Sequence, residues 1–161
     1  MASPELFVKM ALQSWDIQLG RATKLLDSLS DEQLLQEIAP GRNRGIYLFG
    51  HLVAIHDAMI SLFSLGERSH SDMDAVFLTS PDGPEVDKFT SAQIRQYWTE
   101  VHARLKGLFD GMSADSWFQR HNSMTDADFE KEPHRNKLNV LMNRSSHIAY
   151  HLGQLVLLKN S

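Results

Sequence analysis

No stretch of this chain alternates apolar and polar residues between turn signals in the manner of a half-buried strand. Apolar residues recur instead at helical spacing through four long stretches, separated by polar segments rich in turn formers. Ser3, Pro4 and Glu5 open the first helix as N-cap, first-position proline and first-turn acid. Leu6, Met10, Ile17, Lys24 and Leu25 then follow near helical spacing to about residue 29. Ser30 caps a short turn over 32–37, and Ala39-Pro40-Gly41-Arg42-Asn43-Arg44-Gly45 breaks the chain. A second helix spans 46–65 and stops at Gly66. A third, capped by Ser91, spans 92–111 with Ile94, Tyr97, Trp98, Val101, Leu105 and Leu108 on one face. The last spans 136–159. Short turns are expected at 72–77 and after Ser113, the second carrying Trp117 and Phe118. The expected fold is therefore all-α, a four-helix bundle with long loops and short extra helical turns, forming one domain over 1–161. The connection over 67–90 is long enough to run the length of a bundle, so the order need not be up-down-up-down.

Composition narrows the chemistry. With 42% hydrophobic and 22% charged residues the chain has the means to bury a core. It has no cysteine, which removes disulfides, thiolate metal sites and a cysteine nucleophile, so any metal must be held by His, Asp or Glu. A net charge of −4 lacks the basic footprint of a nucleic-acid binder. No uninterrupted apolar run reaches membrane-spanning length, and Met1-Ala2-Ser3-Pro4-Glu5 has no leader-like basic and apolar pattern. A cytoplasmic protein with neither nucleic-acid nor membrane partner is expected.

Eight histidines are many for 161 residues, and their placement is informative. With His147 at zero on the last helix, His151 falls at about 40°, Gln154 at about 340°, Asn143 at about 320°, and Val140 and Leu158 at about 20°. That stripe is apolar at its ends and polar in its middle, and a buried polar centre needs partners. With His51 at zero on the second helix, Ile55, Leu48 and Met59 lie within about 80°, so His51 sits on the apolar face. Gly50, Asp57 and Ser61 gather opposite, as a solvated face. Histidines at i and i+4 can ligate one metal ion, and bundle sites recruit further ligands from a facing helix. His51, His147 and His151 are thus the candidate ligands of a divalent ion, with open positions for water or substrate. Imidazoles suit Zn²⁺, Ni²⁺, Cu²⁺ or Fe²⁺. Asn143 and Gln154 are placed to accept from the other ring nitrogens. The competing reading packs the same histidines as neutral core residues.

Tyr47-Leu48-Phe49-Gly50-His51 and Asn143-Arg144-Ser145-Ser146-His147-Ile148-Ala149-Tyr150-His151-Leu152-Gly153-Gln154 resemble the DinB-like superfamily, which includes YfiT-like metal-dependent hydrolases and thiol-dependent transferases and isomerases. The likeness covers essentially the whole chain. It implies a four-helix bundle holding a divalent metal (Zn, Ni or Fe) through His51, His147 and His151, and often a homodimer. It also implies a small-molecule substrate and, as in several relatives, a low-molecular-weight thiol such as bacillithiol or mycothiol.

A metal at such a site acts as a Lewis acid on a thiol or on water. The expectation is a thiol-dependent S-transferase; a metal-dependent hydrolase and a non-catalytic metal-binding stress-response or interaction module are the alternatives. Within the polar segment 119–135, Glu132, His121 and His134 are candidate general acids or bases. Arg42 and Arg44 are candidates for an anionic substrate group, with a solvated turn as the other reading. His56 reads as a packed or dimer-facing residue, His70 and His102 have no evident partner, and Trp15, Trp98 and Trp117 fill the core or a dimer surface.

Overall fold

The computed structural model describes residues 3–160; Met1 and Ala2, which begin the N-terminal stretch considered above, lie outside them. Among the described residues helices are the regular secondary structure, joined by loops and turns, with one isolated bridge between Glu37 and Arg44. Four long helices form the body: α1 (Pro4–Ser28), α3 (Gly45–Leu62), α5 (Ser91–Asp110) and α8 (Lys137–Leu155), the last extended by a 3₁₀ turn over Val156–Asn160. Four short ones decorate it: α2 (Asp31–Leu34), α4 (Asp74–Phe77), α6 (Ala114–Trp117) and α7 (Asp126–Lys131). The expected all-α bundle is what forms.

Local chemistry explains the helix boundaries. Pro4 occupies the first turn of α1 behind Ser3. Ser30 and Gln33 form a reciprocal capping box on α2. On α5 the cap is Thr90 with Gln93, not Ser91, which sits one residue inside the helix and is buried. Thr125 caps α7, a helix that the sequence pattern does not reveal because it buries none of its residues.

Contacts between helix ends fix the topology. Gln33 Nε2 donates to the Leu158 carbonyl at 3.0 Å, and Gly45 lies against the Leu158 side chain, so α3 starts where α8 ends. The Arg95 guanidinium, near the start of α5, donates to the carbonyls of Leu26 and Leu29 at the end of α1, satisfying acceptors that no basic residue of α1 covers. Thus α1 and α8 run towards one end of the bundle while α3 and α5 run away from it, an up-down-down-up order. At the opposite end the Asn122 amide donates to the Leu62 carbonyl and the Lys137 amide to that of Gln119.

Parallel α3 and α5 require a connection that climbs back the full length of the bundle, and residues 63–90 do this against α3. Going up, the His70 amide meets Asp57, the Phe77 carbonyl meets His51, the Ser80 carbonyl meets Tyr47, and Asp82 meets Arg44. This overturns one expectation from the sequence. Gly50 and Asp57 are not on a solvated face: both are buried by the returning chain, and only Ser61 is exposed. Asp57 accepts from Arg68 Nε at 3.1 Å and from the amides of Ser69 and His70 at 3.0 Å. At Gly50 any Cβ would lie 2.2 Å from the Phe77 ring, so the absence of a side chain is what lets the chain come so close. By length and composition α3 is apolar enough to cross a membrane, but 72% of that stretch is buried inside the bundle, as befits its central position.

The core is filled by Trp15, Trp98, Trp117, Phe49, Phe63, Phe77 and the leucines around them. On α1 the buried stripe is Val8, Ala11, Trp15, Ala22, Leu25 and Leu26; Leu6, Met10 and Ile17, expected to lead the apolar face, are exposed. The buried stripe is the one that carries Trp15, the largest apolar surface on the helix.

Because Asp57 is enclosed and carries hydrogen bonds from three groups, Asp57→Ala should cost about 3–5 kcal/mol of stability by leaving Arg68 and two amides without their acceptor. Urea unfolding reads this directly; a loss below about 0.5 kcal/mol, the behaviour of a surface residue, would place Asp57 in solvent.

Candidate metal centre

His51 lies two turns into α3, and His147 and His151 lie one turn apart near the end of α8. Because the two helices run in opposite directions, these positions meet. The Nε2 atoms of His51 and His147 are 3.3 Å apart, and those of His147 and His151 are 2.9 Å apart. His51 and His147 are half-buried and His151 is buried, so the cluster lies near the surface of the α3–α8 seam.

Hydrogen bonding decides which nitrogens carry protons. The Phe77 carbonyl can only accept, so His51 Nδ1 donates to it, at 2.8 Å. Gln154 Oε1 accepts from His151 Nδ1 at 2.7 Å. In their neutral forms both rings therefore present bare Nε2 lone pairs to one point, and His147 Nε2 faces the same point. Lone pairs aimed at one another repel unless a cation or a shared proton lies between them. Burial pushes the pKa of His147 down to about 4, with His151, His51 and Arg144 adding to the effect. Burial also lowers that of His151, against the opposing bond from Gln154. The cationic form of these two rings is thus disfavoured at neutral pH, and the one proton of neutral His147 sits either on Nε2, bridging the bare nitrogens, or on Nδ1, which leaves all three Nε2 atoms free for a metal. Imidazole nitrogens about 2.0–2.1 Å from a tetrahedral Zn²⁺ lie about 3.3 Å apart, so the spacing present here fits a metal. Tyr47 stacks near His51 at 6.4 Å between ring centroids, and exposed Tyr150 presents an edge to His151 at 5.2 Å.

Of the two expected outer acceptors only Gln154 plays that part; Asn143 is exposed and donates to Asn139. The Phe77 carbonyl was not legible, because a backbone group leaves no residue signature. The candidate acids and bases of segment 119–135 are not brought to the cluster. His121 is next to Asn122, which is anchored to Leu62, eleven residues or about 16 Å along α3 from His51. His121 there holds Ser123 through Nδ1, Glu132 pairs with Arg135, and His134 is exposed. Arg44 is bound by Asp82 at 2.7 Å and Asp87 at 2.6 Å, which hold its guanidinium firmly charged and occupied; Arg42 is exposed.

A second histidine group lies deeper. His56, packed as expected, has a partner that the sequence did not suggest: its Nδ1 is 2.8 Å from His102 Nε2, and His102 Nδ1 donates to the Trp98 carbonyl at 2.7 Å. The chain of bonds runs His56 Nδ1–H to His102 Nε2 and leaves His56 Nε2 as a buried acceptor without a partner. Trp15 meets His56 edge-on at 4.8 Å, and Trp98 meets His102 at 4.2 Å. His70 stacks on Tyr97 at 3.9 Å.

Residues 14–155 match the model of the DinB superfamily, and the chain belongs to that superfamily. Among solved structures, the crystal structure of the mycothiol-dependent maleylpyruvate isomerase is similar, with a TM-score of 0.67 and 13% identity over 96% of this chain. This chain spans only 63% of that protein's length, so the likeness speaks for the fold. No curated protein matches the sequence closely enough to be informative.

The buried dyad makes a pH prediction. Burial pushes His102 down to about 4 from its ordinary value near 6.5, and pushes His56 well below it. Lowered folded-state pKa values mean that the unfolded chain takes up protons first. Stability from these two residues is complete above about pH 6.5 and is lost as the pH falls towards about 4. The urea midpoint should fall between pH 7 and pH 5. In His102→Gln, which keeps an acceptor for His56, the fall should be shallower; an unchanged slope would show that the dyad does not titrate on unfolding.

Proposed function

We propose that this protein is a metal-dependent enzyme that holds one divalent ion through Nε2 of His51, His147 and His151 and activates a low-molecular-weight thiol for transfer to an electrophilic small molecule. The observation that carries the reading is the tautomer arrangement: Phe77 and Gln154 hold two rings so that bare nitrogens face a third across 2.9–3.3 Å. With His147 in its Nδ1–H tautomer all three nitrogens are bare, and a cation satisfies them together where a single bridging proton would be shared between two acceptors. A divalent ion bound there would lower the pKa of a thiol or water on its open side.

The protein's own contributions are orientation and charge balance. Phe77 and Gln154 fix ring rotation and the Nδ1–H tautomer of both ligands. The acceptors are themselves neutral, and no acidic side chain belongs to the cluster among the described residues. An anionic ligand, such as a thiolate, is therefore favoured there. The chain has no cysteine, so the thiol must be a co-substrate. The structural neighbour is by its title mycothiol-dependent, which supports a thiol over water as the nucleophile's source. Hydrolysis with water is the second reading, favoured by the half-exposed position of His51 and His147. Zn, Ni and Fe all suit imidazole ligands. We further propose a cytoplasmic homodimer as the working form.

Elemental analysis of untagged protein should give near one metal ion per chain, lost in His51→Ala and in His147→Ala. Full retention in either variant removes that residue from the site. Gln154→Leu should keep the fold and weaken metal affinity about 10–100-fold, because His151 loses the acceptor that orients it. Conjugation of a model electrophile should require both metal and added thiol; turnover without thiol would select the hydrolytic reading.

A further inference from the structure

Six arginines of this chain are half-buried in the folded body, and five have evident partners. Arg44 binds Asp82 and Asp87, Arg68 binds Asp57 and Asp74, Arg120 binds Asp126, Arg95 donates to the carbonyls of Leu26 and Leu29, and Arg104 donates to Ser69 and the Glu67 carbonyl. The sixth, Arg144, does not. Its Nε is sealed from solvent without a hydrogen-bond partner, and no carboxylate pairs with its guanidinium among the described residues. Burial acts on it alone, lowering its pKa with nothing to offset the cost. An arginine stays charged, so the arrangement is costly unless an anion completes it.

Its location is specific. Arg144 precedes His147 by three residues on α8, which sets their Cβ atoms about 5–6 Å apart. His147 Nδ1 is also enclosed without a partner, the only cluster ring whose Nδ1 lacks an acceptor. With Nε2 turned to the common point as a ligand, that Nδ1 carries the proton and becomes a second unpartnered donor. Two stranded N–H groups, one turn apart, call for one acceptor with two oxygens. On α3, which packs against α8, Ile55, Ala58 and Leu62 continue the side of the helix that carries His51, all half-buried.

We infer that Arg144 Nε and His147 Nδ1 form an anion site for the carboxylate of a small-molecule substrate, beside the three-histidine cluster. One carboxylate oxygen accepts from the arginine and the other from the imidazole, while the apolar stripe of α3 takes the carbon skeleton. The substrate is thus a small carboxylic acid whose reactive carbon lies within reach of a nucleophile at the cluster. The role of His147 rests on the metal reading; the unpaired charge of Arg144 does not.

The test is calorimetric titration of acetate, succinate and inorganic phosphate into untagged protein, both chelator-treated and zinc-loaded. Zinc content is measured in parallel. Zinc-loaded wild type should bind the carboxylates saturably. Arg144→Met should weaken that binding about tenfold or more, and Arg144→Lys, which keeps charge without the fork, should restore part of it. Without carboxylate, the Tm of Arg144→Met should rise by a few degrees, because a desolvated and unpaired charge is gone; a merely structural arginine would give a fall. Equal carboxylate binding by wild type and Arg144→Met, or phosphate bound in preference to both carboxylates, overturns the site. If both proteins take up one zinc ion but bind carboxylate alike, the anion site fails and the metal reading stands. If neither takes up zinc while wild type still binds carboxylate through Arg144, the metal reading fails and the anion site stands.

Discussion

The hydrogen bond from His51 Nδ1 to the Phe77 carbonyl ties the connectivity of this fold to its chemistry. A carbonyl can only accept, so that bond selects the tautomer of His51 and turns Nε2 to the seam. The carbonyl is there because α3 and α5 are parallel. A parallel pair obliges the chain between them to travel back along the bundle, and this chain does so pressed against α3, closing over Gly50 and Asp57 on the way. The fold does more than bring two helices together: the returning segment supplies the group that aims one of the three rings. On α8 the task is local, since Gln154 is one turn beyond His151 and needs no tertiary partner to reach it.

How far the sequence could be read follows from that difference. His147, His151 and Gln154 share one helix, so periodicity alone aligns them. His51 was legible because a histidine in the middle of an apolar stripe is chemically out of place. The segment closing over α3 was not legible, because a helical wheel assigns every polar position to solvent unless another helix is known to face it. Asp57 and Gly50 were misassigned for this reason, although both belong to the best-buried helix of the molecule. The misreading of α1 has a different cause. Two overlapping apolar stripes, one through Leu6, Met10 and Ile17 and one through Val8, Ala11 and Trp15, compete for the core, and bulk rather than hydrophobicity decides between them. Nor could the chain order of loops show that 119–135 closes the end of the bundle remote from the cluster, since that depends on the topology.

The interior polar groups fall into two kinds with opposite physical logic. Asp57, Arg44, Arg68 and Arg95 have their partners within the chain and act in holding the fold together. His147 Nδ1, Arg144 Nε and His56 Nε2 have none, although they are enclosed; a further enclosed atom without a hydrogen bond, His70 Nε2, has the Glu100 carboxylate 3.4 Å away. Groups of the first kind are what a stable domain requires. Groups of the second kind subtract from stability, and all three residues act on one another electrostatically, so they gather in one region of the molecule. A bundle that tolerates several such costs in one place, while satisfying polar groups elsewhere, marks that place as the one adapted to something other than folding.

The sign of the charge in that region narrows what can occupy it. Three neutral imidazoles contribute no negative charge, and their outer partners, a backbone carbonyl and a side-chain amide, contribute none either. The one formal charge acting on His147 is the positive charge of Arg144. A centre built with carboxylate ligands would neutralise a divalent ion and leave a bound nucleophile only weakly polarised. With a divalent ion bound as proposed, the compensation would arrive with the substrates. An anionic nucleophile and an anionic electrophile would ordinarily repel each other. A divalent charge and a guanidinium in adjacent turns of one helix would offset that repulsion by giving each anion its own cation. On the proposed reading, the absence of acidic residues from the cluster among the described residues, as much as the presence of histidines, is what would suit this bundle to joining two anions.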